Sequence, residues 1–154
     1  PSASTLLLTN QVFPMKEVEI LLVEDNNGDV LLTTEALQNW DIKNRISAVC
    51  DGEEAIRYLK ASSTENMGQL PDLVILDINL PKLDGKQVLQ FIRSDADLQH
   101  LAVVIFSSSV NEKDVREARE LNADFYVQKP AELQHFFDAV HTIEQFWTTY
   151  KNAI

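Results

Sequence analysis

Residues 72–85 read Asp-Leu-Val-Ile-Leu-Asp-Ile-Asn-Leu-Pro-Lys-Leu-Asp-Gly. Four consecutive apolar residues, 73–76, run directly into the carboxylate of Asp77. A short apolar run that contains Val and Ile and is followed by turn residues is typical of a strand buried on both faces. Pro81 and Gly85 then end the strand and turn the chain. Asp77 is therefore predicted at the carboxyl end of a buried strand, which is the edge where open parallel sheets bind ligands.

Four other segments are predicted to be short strands as well. They are residues 19–23, 45–50, 101–106 and 124–128, and each is followed by a segment with helical character. Strands that alternate with helices form a parallel sheet covered on both faces, with right-handed crossovers. We therefore predict an α/β fold, a flavodoxin-like doubly wound sheet of five parallel strands in the order 2-1-3-4-5, with five helices.

Capping residues indicate where two of the helices begin. Asp84 with Gln87, and Ser109 with Glu112, have the spacing of a capping box, in which two side chains satisfy the free amides of the first helical turn. We expect one helix to begin after Asp84. We expect another to begin after Ser109 and to end near residue 121.

The composition limits the classes of protein to which the chain can belong. Its 154 residues are most simply one domain, with a loosely ordered tail at 1–16 and a single domain with an extended C-terminal helix at 17–154. A net charge of -11 argues against nucleic-acid binding. No apolar run approaches the ~18 residues that a membrane span requires. The single cysteine, Cys50, cannot form an internal disulfide, which favours a cytoplasmic location.

Polar side chains from four predicted strands meet at one edge of the sheet. Glu24 and Asp25 follow the first strand, Asp77 the third, Ser107 the fourth and Lys129 the fifth. Because strands one and three are neighbours, the three carboxylates would crowd together, and they can stay ionised only beside a compensating cation. A small number of oxygen ligands favours Mg²⁺, which often shares its site with a phosphate group.

The hydroxyl of Ser107 and the ammonium of Lys129 would approach the same point from the other side. Together they form a suitable cradle for a phosphoryl group. We predict that the carboxylate of Asp77 attacks an activated phosphorus and forms an acyl phosphate. Mg²⁺ and Lys129 would stabilise the negative charge that develops on the phosphoryl oxygens.

These strand ends resemble the response-regulator receiver domain of two-component signalling, the CheY-like family, over about residues 17–145. The motifs are Val-Glu24-Asp25-Asn, Leu-Asp77-Ile-Asn79-Leu-Pro81, Asp84-Gly85, Ser107-Ser and Tyr126-Val-Gln-Lys129-Pro130. The resemblance implies that Asp77 accepts a phosphoryl group from the phosphohistidine of a sensor histidine kinase. It implies Mg²⁺ bound by Asp25, Asp77 and the backbone carbonyl of Asn79, with Glu24 acting through water. Such a protein is not an enzyme, since it catalyses only its own phosphorylation and dephosphorylation.

The resemblance also implies roles for residues around the acceptor. Ser107 would reorient towards the phosphoryl oxygen, and Tyr126 would change rotamer in response. A cis peptide bond at Lys129–Pro130 would aim the lysine inward, and the low cis penalty before proline makes this physically possible. Asn79 lies two residues after the acceptor Asp77, and Ser109 lies two residues after the switch serine Ser107. The resemblance implies that these two side chains tune dephosphorylation.

Two other classes of protein place similar chemistry on a similar sheet. A haloacid-dehalogenase-type phosphatase also uses an Asp nucleophile with Mg²⁺, but it needs a second catalytic Asp at the position that Asn79 occupies here. A flavodoxin-like redox protein would need a Ser/Thr/Gly-rich phosphate loop after the first strand. This chain has Glu-Asp-Asn-Asn at residues 24–27, which would repel the flavin phosphate.

The predicted terminal helix, residues 130–150, suggests how the chain produces its output. With no second domain expected after Pro130, the signal would leave through a changed surface or a dimer. The apolar arc of this helix spans about 180°, which is wider than a core contact needs. We expect part of a homodimer interface there, since aromatic residues are enriched in interface cores; the alternative is that the N-terminal tail covers this face. The candidate residues are Ile143, Phe146, Trp147 and Tyr150.

A narrower resemblance concerns the partner. The Glu-Asp-Asn-x-x-Asp run at residues 24–29, the long connection at 61–71 and the Phe146-Trp147 pair are similar to the small stand-alone regulators that partner cyanobacterial phytochrome kinases. This resemblance implies a phytochrome-type histidine kinase as the phosphodonor.

Overall fold

The computed structural model describes residues 16–64 and 69–153. Strands and helices alternate along this part of the chain. They are β1 (Val18–Val23), α1 (Asn27–Gln38), β2 (Asn44–Val49), α2 (Gly52–Thr64), β3 (Leu73–Leu76), α3 (Gly85–Ser94), β4 (Ala102–Ser107), α4 (Glu112–Glu120), β5 (Phe125–Gln128) and α5 (Leu133–Ala153). The predicted tail at 1–16 lies outside the described residues except for Lys16, as do residues 65–68 of the predicted long connection. That connection starts later than expected, because α2 continues to Thr64.

The described strands form one parallel sheet in the order β2-β1-β3-β4-β5, which confirms the predicted topology. Val23 at the end of β1 pairs with Leu76 at the end of β3, and Leu76 pairs with Ile105 of β4. The carboxyl ends of these central strands therefore lie together at one edge of the sheet.

Strand β3 explains why the sheet is covered on both sides. Its four residues are fully buried, and successive side chains alternate between the two faces. Leu73 and Ile75 pack into the apolar core beneath α1 and α5, whereas Val74 and Leu76 pack into the core beneath α2 and α3. Each side chain thus contributes to one of two cores, and Asp77, the next residue, emerges at the edge between them.

The two predicted helix starts have different outcomes. Asp84 forms the expected capping box, accepting the Gln87 amide at 2.9 Å while the Gln87 side chain accepts the Asp84 amide at 3.0 Å. The predicted cap at Ser109 is wrong, because α4 begins at Glu112 and Asn111 is its N-cap. The Ser109 hydroxyl instead donates to Asp114 at 2.6 Å, and Asn is an equally good cap.

Helix α5 begins three residues after Pro130 and packs against α1 and β5. Of its four candidate homodimer residues, two are buried by this packing and two are half-buried. Ile143 and Trp147 are buried in the chain's own core, because the helix uses a wider arc against α1 and β5 than we predicted. Phe146 and Tyr150 are half-buried, and Phe146 stacks on Phe125 of β5 with a centroid separation of 5.0 Å. Only the outer parts of Phe146 and Tyr150 are therefore accessible to a partner.

Over residues 16–64 and 69–153, none of the helices is long and apolar enough to cross a membrane.

Candidate functional site

Backbone hydrogen bonds continue beyond the strand ends and position the candidate residues. The amide of Asp77 donates to the carbonyl of Val23 at 3.1 Å, and the amide of Lys129 donates to the carbonyl of Ser107 at 2.8 Å. Glu24, directly after β1, likewise donates its amide across to β2. The first residue past each of these strands is thus held in the sheet register, so its side chain starts from a fixed position at the edge.

The three predicted acidic residues come together. Carboxylate oxygens of Glu24, Asp25 and Asp77 lie within 4.8 Å of one another. Glu24 and Asp77 are buried, whereas Asp25 is exposed. Hard anionic oxygens from three residues, with one side open to water, match the preference of Mg²⁺ for a few carboxylates and several waters. The donor set therefore fits the predicted ion, with Glu24, Asp25 and Asp77 as the residues that could hold it.

Asn79 lies beside this cluster. Its amide is 3.4 Å from an Asp77 carboxylate oxygen, at the outer limit of a hydrogen bond. The contact places the Asn79 backbone near the acids. The role of the Asn79 carbonyl as a metal ligand stays a prediction, and so does the role of the Asn79 side chain in dephosphorylation.

The ammonium of Lys129 is the positive centre of the site. Its Nζ lies 2.5 Å from Glu24 Oε1, 2.9 Å from Asp29 Oδ2 and 3.1 Å from Asp77 Oδ2. Burial alone would lower the pKa of Lys129, but the hydrogen bonds to Glu24 and Asp29 and the charge of Asp77 outweigh it and raise the pKa above its ordinary value. Lys129 is therefore a permanent cation next to the predicted acceptor.

Glu24 is the acid most affected by its surroundings. Burial raises the pKa of its carboxyl from 4.5 to about 7, and the nearby charge of Asp77 acts in the same direction. The hydrogen bond from Lys129 opposes the shift without cancelling it. Near neutral pH, with no divalent ion bound, this carboxyl is thus partly protonated.

The predicted cis bond before Pro130 is wrong, because the Lys129–Pro130 peptide is trans. Trans is favoured even before proline, by about 0.5–1 kcal/mol. Lys129 nonetheless reaches Asp77, so aiming the lysine does not require the cis form in this chain.

Ser107 and Tyr126 are connected through one loop. Ser107 is completely buried, and its hydroxyl accepts the amide of Ser109 at 3.3 Å. The hydroxyl of Tyr126 donates to the carbonyl of Ser109 at 2.9 Å. Burial raises the pKa of Tyr126, which keeps this hydroxyl a donor. The predicted switch residues are therefore physically joined by Ser109, although their movement stays a prediction.

Lys86 extends this connection to the neighbouring helix. Its ammonium, on α3, lies 2.6 Å from Asp114 and 2.5 Å from Glu117, both on α4. These hydrogen bonds raise the pKa of Lys86 to about 12 and lower the pKa values of both acids. Since Asp114 also accepts the hydroxyl of Ser109, the loop after β4, helix α4 and helix α3 form one bonded unit.

Gly85 permits the backbone to pass close beneath the acceptor. A Cβ atom built on Gly85 would lie 2.1 Å from the Asp77 carbonyl oxygen and 2.7 Å from the Ile78 Cα. Both atoms belong to the backbone and cannot rotate away. The Asp-Gly pair at 84–85 is therefore needed for the position of Asp77 as well as for the start of α3.

One member of the site, Asp29, was not predicted from the sequence. We interpreted Asp29 as part of the Glu-Asp-Asn-x-x-Asp run at 24–29, whereas the structure places its carboxylate on Lys129. The available signal was its position in the first turn of α1, the helix that directly follows Glu24 and Asp25 at the end of β1.

The chain is similar to proteins of known family and structure. The family model for the response regulator receiver domain matches residues 20–141. Response regulator Rcp1 of Synechocystis sp. is 38% identical over 128 residues, covering 83% of this chain and 87% of Rcp1.

Two crystal structures show the same similarity in three dimensions. The phosphorylated cyanobacterial phytochrome response regulator RcpA has 40% sequence identity and a TM-score of 0.81, covering 88% of this chain and 96% of that one. The Mn²⁺-bound form of Rcp1 has 37% identity and a TM-score of 0.78, covering 84% of this chain and 94% of that one.

Proposed function

This chain belongs to the response regulator receiver domain family, and we propose that it is a response regulator which receives a phosphoryl group on Asp77. The observation that carries the proposal is the position of the buried Asp77 carboxylate. It lies in a cluster with Glu24 and Asp25, and one of its oxygens is 3.1 Å from the Lys129 ammonium. A carboxylate placed between a cation site and a fixed ammonium is suited to attack an anionic phosphorus centre.

The proposed reaction is transfer from a phosphohistidine of a sensor histidine kinase. An oxygen of Asp77 attacks phosphorus as the P–N bond breaks. The bonding electron pair remains on the imidazole nitrogen, which is then protonated. Lys129 donates a hydrogen bond to an equatorial phosphoryl oxygen, and Ser107 turns to donate another. Bound Mg²⁺ would supply positive charge that offsets the carboxylates and the incoming group.

Residues of this chain would hold the proposed ion and set its surroundings. Asp25 and Asp77 would supply carboxylates, Glu24 would act through water, and the Asn79 carbonyl would supply a neutral oxygen. The Mn²⁺-bound structure of Rcp1 supports a divalent ion in a related protein. We propose that Asn79 and Ser109 tune the later hydrolysis of the acyl phosphate from their positions beside the acceptor and the switch serine.

The proposed phosphodonor is a phytochrome-type histidine kinase. The support is the similarity to RcpA, a cyanobacterial phytochrome response regulator, which extends over most of both chains. The protein would act in the cytoplasm, where such kinases present their phosphohistidine. It would send its signal through the surface of α4 and α5 or through a homodimer that involves Phe146 and Tyr150.

The test is incubation with Mg²⁺ and acetyl phosphate, followed by intact mass measurement after acid quenching. We expect one phosphoryl adduct on the native protein and none on Asp77→Asn. Asp72→Asn is the matched control, because Asp72 lies at the other end of β3 and accepts the Glu19 amide. An adduct that persists in Asp77→Asn would contradict the assignment, as would its absence with every phosphodonor and kinase tried.

A further inference from the structure

All three N–H donors of the Lys129 ammonium are occupied in this structure. An ammonium has three donors and no acceptor, and Glu24, Asp29 and Asp77 each accept one of them. We propose that Asp29 is a positioning residue that holds Lys129 in the unphosphorylated protein and competes with the phosphoryl group for it. This inference rests on the proposed function of Asp77.

Burial distinguishes Asp29 from the other two acceptors. The side chains of Glu24 and Asp77 are 3% and 8% exposed, whereas that of Asp29 is 28% exposed. Breaking the bond to a buried carboxylate leaves a charge without solvent, whereas an exposed carboxylate exchanges its partner for water at small expense. Asp29 is therefore the acceptor that Lys129 releases most readily.

Asp29 is fixed in place by the first turn of α1. Its amide donates to the side chain of Asn26, the N-cap of the helix, at 2.9 Å. The carboxylate thus stands on a rigid element and reaches Lys129 across 100 residues of sequence. A fixed acceptor that reaches the ammonium from the more exposed side restrains it more strongly than a mobile side chain would.

The effect on the phosphorylated state follows from the count of donors and charges. A phosphoryl oxygen on Asp77 needs an N–H of Lys129, and the group adds negative charge to a pocket that is already acidic. Asp29 disfavours the phosphoryl group in two ways: it occupies one N–H donor of Lys129, and it adds one further negative charge to the pocket. Removing its carboxylate should therefore favour the phosphorylated state, whereas damage to the site would disfavour it.

Binding of beryllofluoride, a stable analogue of the phosphoryl group, tests the competition directly. The dissociation constant is measured by NMR titration at saturating Mg²⁺ for the native protein, Asp29→Asn and Asp29→Ala. We expect both variants to bind about fivefold more tightly, the order of effect that one nearby, partly screened charge produces. Glu35→Gln is the matched control, since it removes one exposed acid from the same helix.

The outcomes separate this inference from the function on which it rests. Tighter binding by the two Asp29 variants, with Glu35→Gln unchanged, supports the competition. Equal or weaker binding by either Asp29 variant overturns it, and so does equal tightening in Glu35→Gln, which would indicate a general charge effect. If Asp77 forms its adduct in the native protein, the proposed function stands in all these cases. If the native protein neither binds beryllofluoride nor forms the adduct, both proposals fail together.

Discussion

The hydroxyl of Tyr126 donates a hydrogen bond to the backbone carbonyl of Ser109 over 2.9 Å. The amide of Ser109 in turn donates to the hydroxyl of Ser107, which is completely buried at the end of β4. Ser109 is thus bonded at both ends of its own backbone. A movement of Ser107 towards a phosphoryl oxygen would break its contact with the Ser109 amide and loosen the contact between Ser109 and Tyr126.

Tyr126→Phe removes the hydroxyl and leaves the ring. We expect the free energy of unfolding to fall by about 1 kcal/mol, the usual net contribution of such a bond. Amide hydrogen exchange at residues 108–111 should become faster, because the loop loses its anchor. Tyr58→Phe is the control, since its hydroxyl donates to Ser47 at 3.1 Å on another part of the sheet. Unchanged exchange at 108–111 in Tyr126→Phe would disprove the anchoring role.

Gly85→Ala should displace the acceptor. The added methyl group would collide with the Asp77 carbonyl and the Ile78 Cα, both parts of the main chain. We expect a loss of stability of about 3 kcal/mol and at least a tenfold slower phosphorylation by acetyl phosphate. Gly28→Ala is the control, because its Cβ would meet only the side-chain oxygen of Asn26 at 3.2 Å. Comparable rates in the two variants would show that the close approach is unimportant.

Mg²⁺ binding should release a proton from Glu24. Because burial raises the pKa of Glu24 from 4.5 to about 7, the folded protein holds a proton between these pH values that the unfolded chain lacks. Without metal, the stability that this proton contributes is present at low pH and is lost as the pH rises through 7. Calorimetric titration with Mg²⁺ in two buffers should show release approaching one proton at pH 6 and almost none at pH 8. Glu24→Gln should abolish the release; an equal release in that variant would exclude Glu24 as its source.

Arg93 stabilises the edge of the sheet that lies opposite the acidic cluster, where β4 and β5 begin. Its guanidinium donates to one carboxylate, that of Asp124 at 2.9 Å, and to three backbone carbonyls. The carbonyls are those of Gln99, Leu101 and Asn122. Lysine cannot reproduce this planar fork.

Arg93→Lys should therefore lower the free energy of unfolding by about 2–3 kcal/mol and leave the phosphorylation rate unchanged. The measurement is urea denaturation, with acetyl phosphate labelling of the same samples. Arg57→Lys, at an exposed position of α2, should be neutral in both. An equal effect of the two substitutions on stability would contradict the role assigned to Arg93.

Tyr150 tests the proposed homodimer. Its ring is half-buried, and it packs against Phe146 and Trp147 at centroid distances of 5.5 and 5.9 Å. If the native protein dimerises through this face, Tyr150→Glu should weaken the dimer at least tenfold in sedimentation velocity across a concentration series, because it places a charge in an apolar contact. Gln145→Glu adds a charge at an exposed position of the same helix and should have little effect. A native protein that stays monomeric at high concentration would rule out the dimer.

The strands were predictable because their apolar runs carry the information locally. Leu73 to Leu76 are buried on both faces, and such runs are apolar throughout. The convergence of Glu24, Asp77 and Lys129 followed from the topology, since parallel strands present their carboxyl ends at one edge. What could be foreseen was therefore the part of the site that depends on strand order.

The features that were missed depend on competition between local alternatives. Ser109 and Asn111 are both good helix caps, and the sequence does not show that Ser109 would bond Asp114 instead. Ile143 lies on an apolar arc that a partner or the chain itself could cover, and only the packing of α5 against α1 and β5 decides this. The contact of Asp29 with Lys129 required the position of α1 over the sheet edge, which the spacing of residues does not fix.

Lys129 directly follows β5, the last strand along the chain, but its ammonium donates to Asp77, which lies 52 residues earlier in the chain. Contacts between distant segments form late in folding, because the entropy of closing the intervening loops must first be overcome. During synthesis, the segment that carries Asp77 and its neighbouring acids emerges before the cation that completes the pocket. A chain in which β5 has not yet joined the sheet therefore has an acceptor without its ammonium. If Asp77 receives the phosphoryl group as proposed, we therefore expect only molecules that have finished folding to receive the signal.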